Sequence, residues 1–406
     1  MKMNRVLEFV HDLWVGFQVE TPPVVQRIFV DHLHRVKDVA RLLVSPHLPV
    51  YRLEGQAQGG PLEVTYAGLE FAKPIIKNML FVDDPVEQRD GRIPFWQRDE
   101  LANLSPGDIV AIEAPKDLIH KLPRQNAIVW PRFVHHILDV RGDWSDVKCR
   151  FRKSTRRHDL RLTRKHGYQY EVSHSDQDFD VFYRDMYLPT MKIRHGSRAP
   201  IMSAREARWY FRQGLLFLVK RDGQPVCGGV CHVVRDEVRF ILMGVINGDQ
   251  QLIKERVVGA LNCLRIEWAN QQGYRAVNFM SSTAQLEAGL FQYKRKWGAA
   301  VSIPQHVHRR VWIKIRRCTP AVARFLKERP LIVVDKDEKL HGLIVVDDPG
   351  SVSAEMIKDW EKRYATPGLS SLVVCSVRDF TEGVADIHDP DLVIPISSHA
   401  GCGNGD

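Results

Sequence analysis

The sequence predicts a mixed α/β protein, and three features of its 406 residues carry that prediction. Apolar runs at 215–219, 226–234 and 238–243 are joined by the short polar turns Asp222-Gly223 and Arg235-Asp236-Glu237, the pattern of an antiparallel meander. A segment over 252–271 follows, with Val257, Leu261, Leu264 and Trp268 on one helical face. The charge is also divided. Residues from Pro330 onward hold 14 acidic and 6 basic side chains, a net of −8. The preceding 329 residues hold 35 and 52, a net of +17. A small acidic C-terminal α/β unit is therefore expected on a basic body.

In chain order, residues 1–45 read as helical, with Val6, Phe9, Val10 and Leu13 at helical spacing. Short β-type runs at 50–53, 62–66, 108–112 and 133–138 are separated by turn signals such as Gly59-Gly60 and Asp90-Gly91, giving a mixed α/β half. A basic helix is expected over 145–167, a second helix over 175–192, and a third over 202–214 with Ser203 as its cap. After the meander and the helix ending at Gly273, a strand is expected at 274–280, a helix through 284–297 and a last strand over 306–315. The acidic unit reads as strands at 331–334, 343–346, 372–375 and 392–396 around a helix at 353–364. The last residues, 399–406, read as disordered.

Composition narrows the function classes. No apolar run reaches the roughly 18–20 residues that span a bilayer. The N-terminus lacks a continuous apolar signal core, so a cytoplasmic location is expected. Seven cysteines, an odd number without paired CxxC spacing, argue against a disulfide framework or a zinc site, and no metal is expected. The basic body points to an anionic partner such as a nucleotide, RNA or a membrane surface, with ordinary solubility charge as the alternative. The chain is silent about oligomeric state.

Three stretches carry a family resemblance. One is the basic helix Phe151-Arg152-Lys153-Ser154-Thr155-Arg156-Arg157-His158-Asp159-Leu160-Arg161-Leu162-Thr163-Arg164-Lys165-His166-Gly167. Another is Met191-Lys192-Ile193-Arg194-His195-Gly196. The third is Leu290-Phe291-Gln292-Tyr293-Lys294-Arg295-Lys296-Trp297-Gly298, an aromatic-lysine pair closed by aromatic-glycine. In this order and spacing, with the meander between the second and the third, they resemble the Fem-type aminoacyltransferases and the CelD-like, exopolysaccharide-associated branch of the GNAT acyltransferases. The resemblance implies tandem GNAT-like domains. Residues 46–165 would be a degenerate first half and 166–318 the acyltransferase half, followed by the acidic unit at 330–398.

It also implies a cleft where the meander's last strand and the next strand splay, with the following helix's N-terminus turned toward an anionic carrier. Here Gly248-Asp249-Gln250-Gln251 stands where acetyl-CoA users carry a Gly-rich turn. The donor is therefore left open between acyl-CoA and aminoacyl-tRNA. The acceptor would be a small molecule or glycan precursor, and peripheral contact with an anionic membrane is a further expectation.

Lys294, with Tyr293 beside it, is the expected catalytic pair, able to hold an oxyanion or a substrate phosphate. Arg295 and Lys296 read as a solvated helix face. Arg157 and Arg161 belong to a stripe with Lys153 and Arg164, suited to phosphates, and read as substrate-binding; no interleaved aromatics suggest base reading. Arg194 and His195 are candidate substrate-binding residues, with a structural turn as the alternative. His306 and His308 read as a surface pair, and Cys227 and Cys231 as packed thiols. The competing function is a non-catalytic GNAT-fold protein that binds a phosphorylated ligand.

Overall fold

The computed structural model describes residues 47–396 apart from 69, 105–106, 197–200, 305–307 and 387–389. The expected helix at 1–45, the tail 399–406 and His306 lie outside the described residues. The expected mixed α/β architecture is present, as three mixed sheets with helices between them.

The first sheet begins with β1 (His47–Ala57) and β2 (Gly60–Gly68), a hairpin turning through Gly59 and Gly60, both at positive φ, as such tight turns require. Helix α1 (Lys73–Leu80) follows, and β3 (Val86–Pro94) returns to pair with β1. Then β4 (Ile109–Pro115) lies parallel to β2, and β5 (Ala127–Trp130) and β6 (Phe133–Asp139) end this half. The first six residues of β4 are all buried, the mark of a central strand.

The second half opens with β7 (Gln169–Ser173), a helical stretch ending in α2 (Leu188–His195), and α3 (Ala204–Arg212). Ser203 accepts the Glu206 N–H and caps α3, as its position predicts. The meander is β8 (Gly214–Arg221), β9 (Gln224–Val234) and β10 (Glu237–Phe240), with Asp222 and Gly223 both left-handed at the first turn. A two-residue strand β11 (Gly244–Val245), α4 (Val257–Gln271), β12 (Ala276–Thr283), α5 (Gly289–Arg295), β13 (Ala300–Ser302) and β14 (Arg309–Ile315) complete it. Gly273, at φ +75, ends α4 in the expected left-handed cap.

The two sheets exchange strands. β6, from the first half, pairs with β12 and β13. β14, from the second half, pairs with β4 and β5. One sheet thus reads β2, β4, β14, β5 and the other β10, β12, β6, β13, each with one parallel pair followed by two antiparallel ones. No single cut in the chain frees one sheet from the other.

Beyond α6 (Pro320–Glu328), the acidic unit forms a four-stranded sheet of β15 (Leu331–Val334), β16 (Leu340–Val346), β17 (Leu369–Ser376) and β18 (Leu392–Pro395), with α7 (Ala354–Tyr364) between the middle strands. It has its own sheet but not its own core. One apolar cluster runs from Leu48 through Trp130 and Trp312 to Ile394.

Three expected elements differ. The helix expected over 284–297 is only α5, because β12 continues past a left-handed Met280 to pair with β6 as far as Thr283. The helix expected from 252 breaks at Arg256, φ +64, into a short turn over Gln250–Lys254 and α4. The basic segment is interrupted at 150–152, where buried Phe151 turns inward between Trp144 and Trp297, and it carries a π-type turn at Arg156–Leu160.

Candidate active site

A cleft forms where two parallel strands stop pairing. β10 and β12 share three rungs, Glu237↔Ala276 to Arg239↔Asn278, and then part. On the β10 side, the N–H groups of Ile241 and Leu242 both donate to the Val230 carbonyl, 3.0 and 3.4 Å away, and the chain bulges before β11 rejoins β9. On the β12 side, the register slips between Asn278 and Ser281 around left-handed Met280, and the strand follows β6 instead.

The equivalent place in the first half is shut. β2 and β4 stay paired for five rungs, ending at Gly68↔Glu113. Glu113 is fully buried there. Its carboxylate accepts from Tyr66 Oη at 2.6 Å, from the Phe71 and Ala72 N–H groups at 3.0 Å each, and from Arg132 Nη1 at 2.9 Å. Phe71 and Ala72 lead into α1, so the helix end that would receive an external anion already holds an internal one. The parting of β10 and β12 in the second half is therefore the candidate site.

Lys294 lies at that opening and is only 8% exposed. Its Nζ donates to the Met280 carbonyl at 3.1 Å and to the Ser281 carbonyl at 2.7 Å, the two oxygens turned out by the bulge. Burial with no carboxylate in contact pushes its pKa from 10.5 down to about 7. Two N–H bonds are all that a neutral amine can donate, so its lone pair is left available for a proton. Behind it on β6, His136 donates or accepts with Ser282 Oγ at 2.8 Å. Burial, and then the charge of Lys294, take His136 down to about 3, so it stays neutral.

Tyr293 is placed differently from the expected catalytic partner. Its hydroxyl accepts from Asn262 Nδ2 at 2.7 Å and faces the Val258 carbonyl at 3.4 Å, and burial holds its pKa well above 10. It is tied to α4 by both of its hydrogen-bonding functions. Asn262 in turn accepts from Arg265 Nη2 at 2.5 Å. The sequence reading missed these two α4 residues. The available signal was a polar pair at i and i+3 in a helix otherwise apolar around most of its circumference.

Arg295 and Lys296 are not a solvated face. Arg295, 4% exposed, donates to the Ala365 carbonyl at 3.0 and 2.6 Å and the Lys362 carbonyl at 3.0 Å, capping the end of α7. Lys296 binds both oxygens of Asp159, at 3.2 and 3.1 Å, and lies over the Tyr293 ring at 4.5 Å. Trp297 is fully buried between Phe151 and Phe279. Gly298 is left-handed, and any Cβ there would strike the Arg150 carbonyl.

Asp159 is paired with Lys296 and Arg256 beside the first turn of α4. It is the one acid among residues 151–167, and it turns inward, 4% exposed, against Gly259 in the first turn of α4. Lys153, Arg156, Arg157, Arg161, Arg164 and Lys165 are exposed on the other side. Among the described residues none of these six has an ion pair with a carboxylate. Arg157 and Arg161 thus form an exposed basic surface beside α4's N-terminus, not contacts with Tyr293 or Lys294. Arg194 is exposed at the end of α2; burial takes the Cys227 thiol up to about 12, opposed by Arg265 and, least of all, by Arg194. His195 ends the same helix.

An open cavity of about 520 Å³ lies elsewhere, between residues 285–288 and the ends of α6 and α7. It is lined by engaged charges, such as Glu287 bonded to Arg363 and Tyr364, and not by Lys294. Among the described residues no cluster of three His, Cys, Asp or Glu side chains could hold a metal, and no helix is long and apolar enough to cross a membrane.

No family model matches the chain, and no curated protein does. Solved structures are similar at low identity. FemX shares 12% identity over 65% of this chain and 83% of its own, with a TM-score of 0.37. L-PGS from Bacillus licheniformis shares 14% over 68% and 87%, with a TM-score of 0.34. The C-terminal domain of a putative lysylphosphatidylglycerol synthetase from Agrobacterium fabrum shares 12% over 72% and 95%, with a TM-score of 0.33. At these values the likeness adds nothing to the chemistry of the cleft, which rests on its residues.

Proposed function

We propose that the chain transfers an acyl or aminoacyl group from an activated ester or thioester to an amine or hydroxyl acceptor, by direct attack in the second-sheet cleft. The observation that carries this reading is Lys294, an amine near neutrality held at the point where β10 and β12 part. An attacking amine must lose a proton as its nitrogen bonds to the acyl carbon. Neutral Lys294 accepts that proton and returns it to the departing oxygen or sulfur, so one group serves as base and then acid.

The donor we favour is an aminoacyl-tRNA ester over an acyl-CoA, which corresponds to the Fem-type side of the resemblance. The basis is Asp159, a carboxylate against α4's first turn where a CoA diphosphate would be expected, beside an exposed basic face suited to a longer polyanion. A small molecule or glycan precursor remains the acceptor class.

The test incubates the chain with charged tRNA, acyl-CoA and nucleotide sugars, and follows transferred mass by mass spectrometry. Wild type should transfer from charged tRNA, and Lys294→Ala should lose turnover with its circular dichroism unchanged. Reversing Arg157 and Arg161 should weaken tRNA binding and flatten its salt dependence by about two phosphate contacts. Full turnover by folded Lys294→Ala would reject the proposed base, and transfer from acyl-CoA alone would reject the donor.

A further inference from the structure

Asn278 is the last residue of β12 to pair with β10, opposite Arg239, and it is 2% exposed. A buried amide is costly unless its polar atoms find partners, so where those partners lie is informative. Its Nδ2 donates to Glu237 Oε1 on β10 at 3.2 Å and lies 3.5 Å from His135 Nδ1 on β6. Glu237 is steadied in turn by Arg239 Nε at 2.6 Å. The Asn278 Oδ1 accepts the N–H of Met280, two residues on, at 2.8 Å, a bond that the short Asn side chain makes readily. One side chain thus ties β10, β6 and the departing part of β12 together at the level where the strands separate.

Met280 is the residue that needs such a tie. Its φ of +61 is disfavoured for any residue with a Cβ and persists only where the surroundings fix it. The register with β6 is broken here and resumes at Ser281, opposite His135. Side chains hold Met280 from both ends instead. Asn278 takes its N–H, and Lys294 Nζ takes its carbonyl at 3.1 Å. The next carbonyl, that of Ser281, is the second acceptor of Lys294, at 2.7 Å. Asn278 and Lys294 are therefore linked through a single residue.

We infer that Asn278 is a positioning residue for Lys294: by holding the Met280 N–H to the β10 side of the parting, it sets the bulge whose carbonyls fix the amine. It touches no reacting atom in this scheme. The inference rests on the acyl-transfer reading only for the use of Lys294 as a base. The surroundings leave the bulge as the main lever on that amine. From β6, His136 faces Lys294 and stays neutral. On its own helix, Tyr293 is turned to α4 and Arg295 to the end of α7. β12 presents it with carbonyl groups.

The test reads the folded state of the full chain, not turnover. Asn278→Leu keeps the volume and removes both the donor and the acceptor. Native-state hydrogen exchange at the Met280 amide should become about tenfold faster or more, while residues 276–278 keep their protection. In protein labelled with ¹³C-lysine, the Lys294 signal is the one missing from Lys294→Met. It should titrate about one pH unit or more above its wild-type value, because an amine freed from its carbonyls gains water beside half-buried Met280 and Ser281. Both signals unchanged in folded Asn278→Leu would reject the inference, whatever the turnover. So would faster exchange spread evenly over β12, the mark of a merely structural residue, or a loosened Met280 with Lys294 unmoved. If Asn278→Leu does not fold, Asn278→Asp, which keeps an acceptor for Met280, is compared with Asn278→Ala. Protection of Met280 in the first and not the second supports the tie, and equal exchange in both rejects it. If both signals move in Asn278→Leu and transfer continues at the wild-type rate, the use of Lys294 as a base falls and the tie stands.

Discussion

Replacing Lys294 with Met should change how stability depends on pH, and the size of the change follows from the burial of the amine. The unfolded chain protonates this lysine near 10.5, and the folded chain near 7. Between those values the unfolded state binds a proton that the folded state does not, so wild-type stability rises with pH across the window. Below about 7 both states are protonated and the full penalty stands. The separation corresponds to about 5 kcal/mol, with a slope of up to about 1.4 kcal/mol per pH unit. Met at 294 removes this slope. It also leaves the Met280 and Ser281 carbonyls without their donor, a cost of about 1–3 kcal/mol each that does not vary with pH. The informative quantity is therefore the wild-type-minus-Met difference as a function of pH, from denaturant unfolding. It should move in favour of wild type by about 2–3 kcal/mol across two pH units inside the window. A difference that stays constant would show that the amine titrates as an ordinary lysine, and the base assigned to the cleft would fall with it.

Two further substitutions test the supports of the site. Glu113→Gln removes the negative charge facing Arg132 and weakens the acceptor of four donors, so it should destabilise the fold by about 3 kcal/mol in chemical denaturation; a change under 1 kcal/mol would refute the plugged-cleft reading. Arg295→Met uncaps α7 and should raise hydrogen exchange in residues 354–365 well above that in β17, whereas uniform exchange would show that the acidic unit is held by its core alone.

How far the sequence led can be seen within the stretch 290–298. Its order and residue types stood out, because an aromatic-lysine pair after a strand is a local pattern, and Lys294 lies beside the β12 bulge. It did not separate the roles of neighbours. Arg295, Lys296, Trp297 and Gly298 serve packing, and each is fixed by a partner remote in sequence: the end of α7, Asp159, Phe151 and the Arg150 carbonyl. The meander was legible because its turn residues, Asp222 and Gly223, adopt the conformation their types favour. The bulge at Met280 was not, since a left-handed methionine has no local signature and is held by β6 and Lys294. Arg265 escaped because a single cation in an apolar helix reads as surface until the sheet beneath it is known.

The strand exchange gives the closed first half a part in the open site. β6 forms the wall behind the bulge, where His135 pairs across from Ser281 and His136 bonds to Ser282. Without it, β12 would present an unpaired edge and the carbonyls that hold Lys294 would lose their register. The second half repays this with β14, which separates β4 from β5. Cutting the chain after Gly167, an exposed left-handed turn with open space around it, should therefore yield two fragments that fail alone and associate when co-expressed. The expected measurement is co-purification of the two pieces in equal amounts, with the hydrogen-exchange protection of β12 restored only in the pair. If the fragment from 168 onward were folded and monomeric by itself, β6 would not be needed, and the bulge that positions Lys294 would have to be maintained by the second half alone.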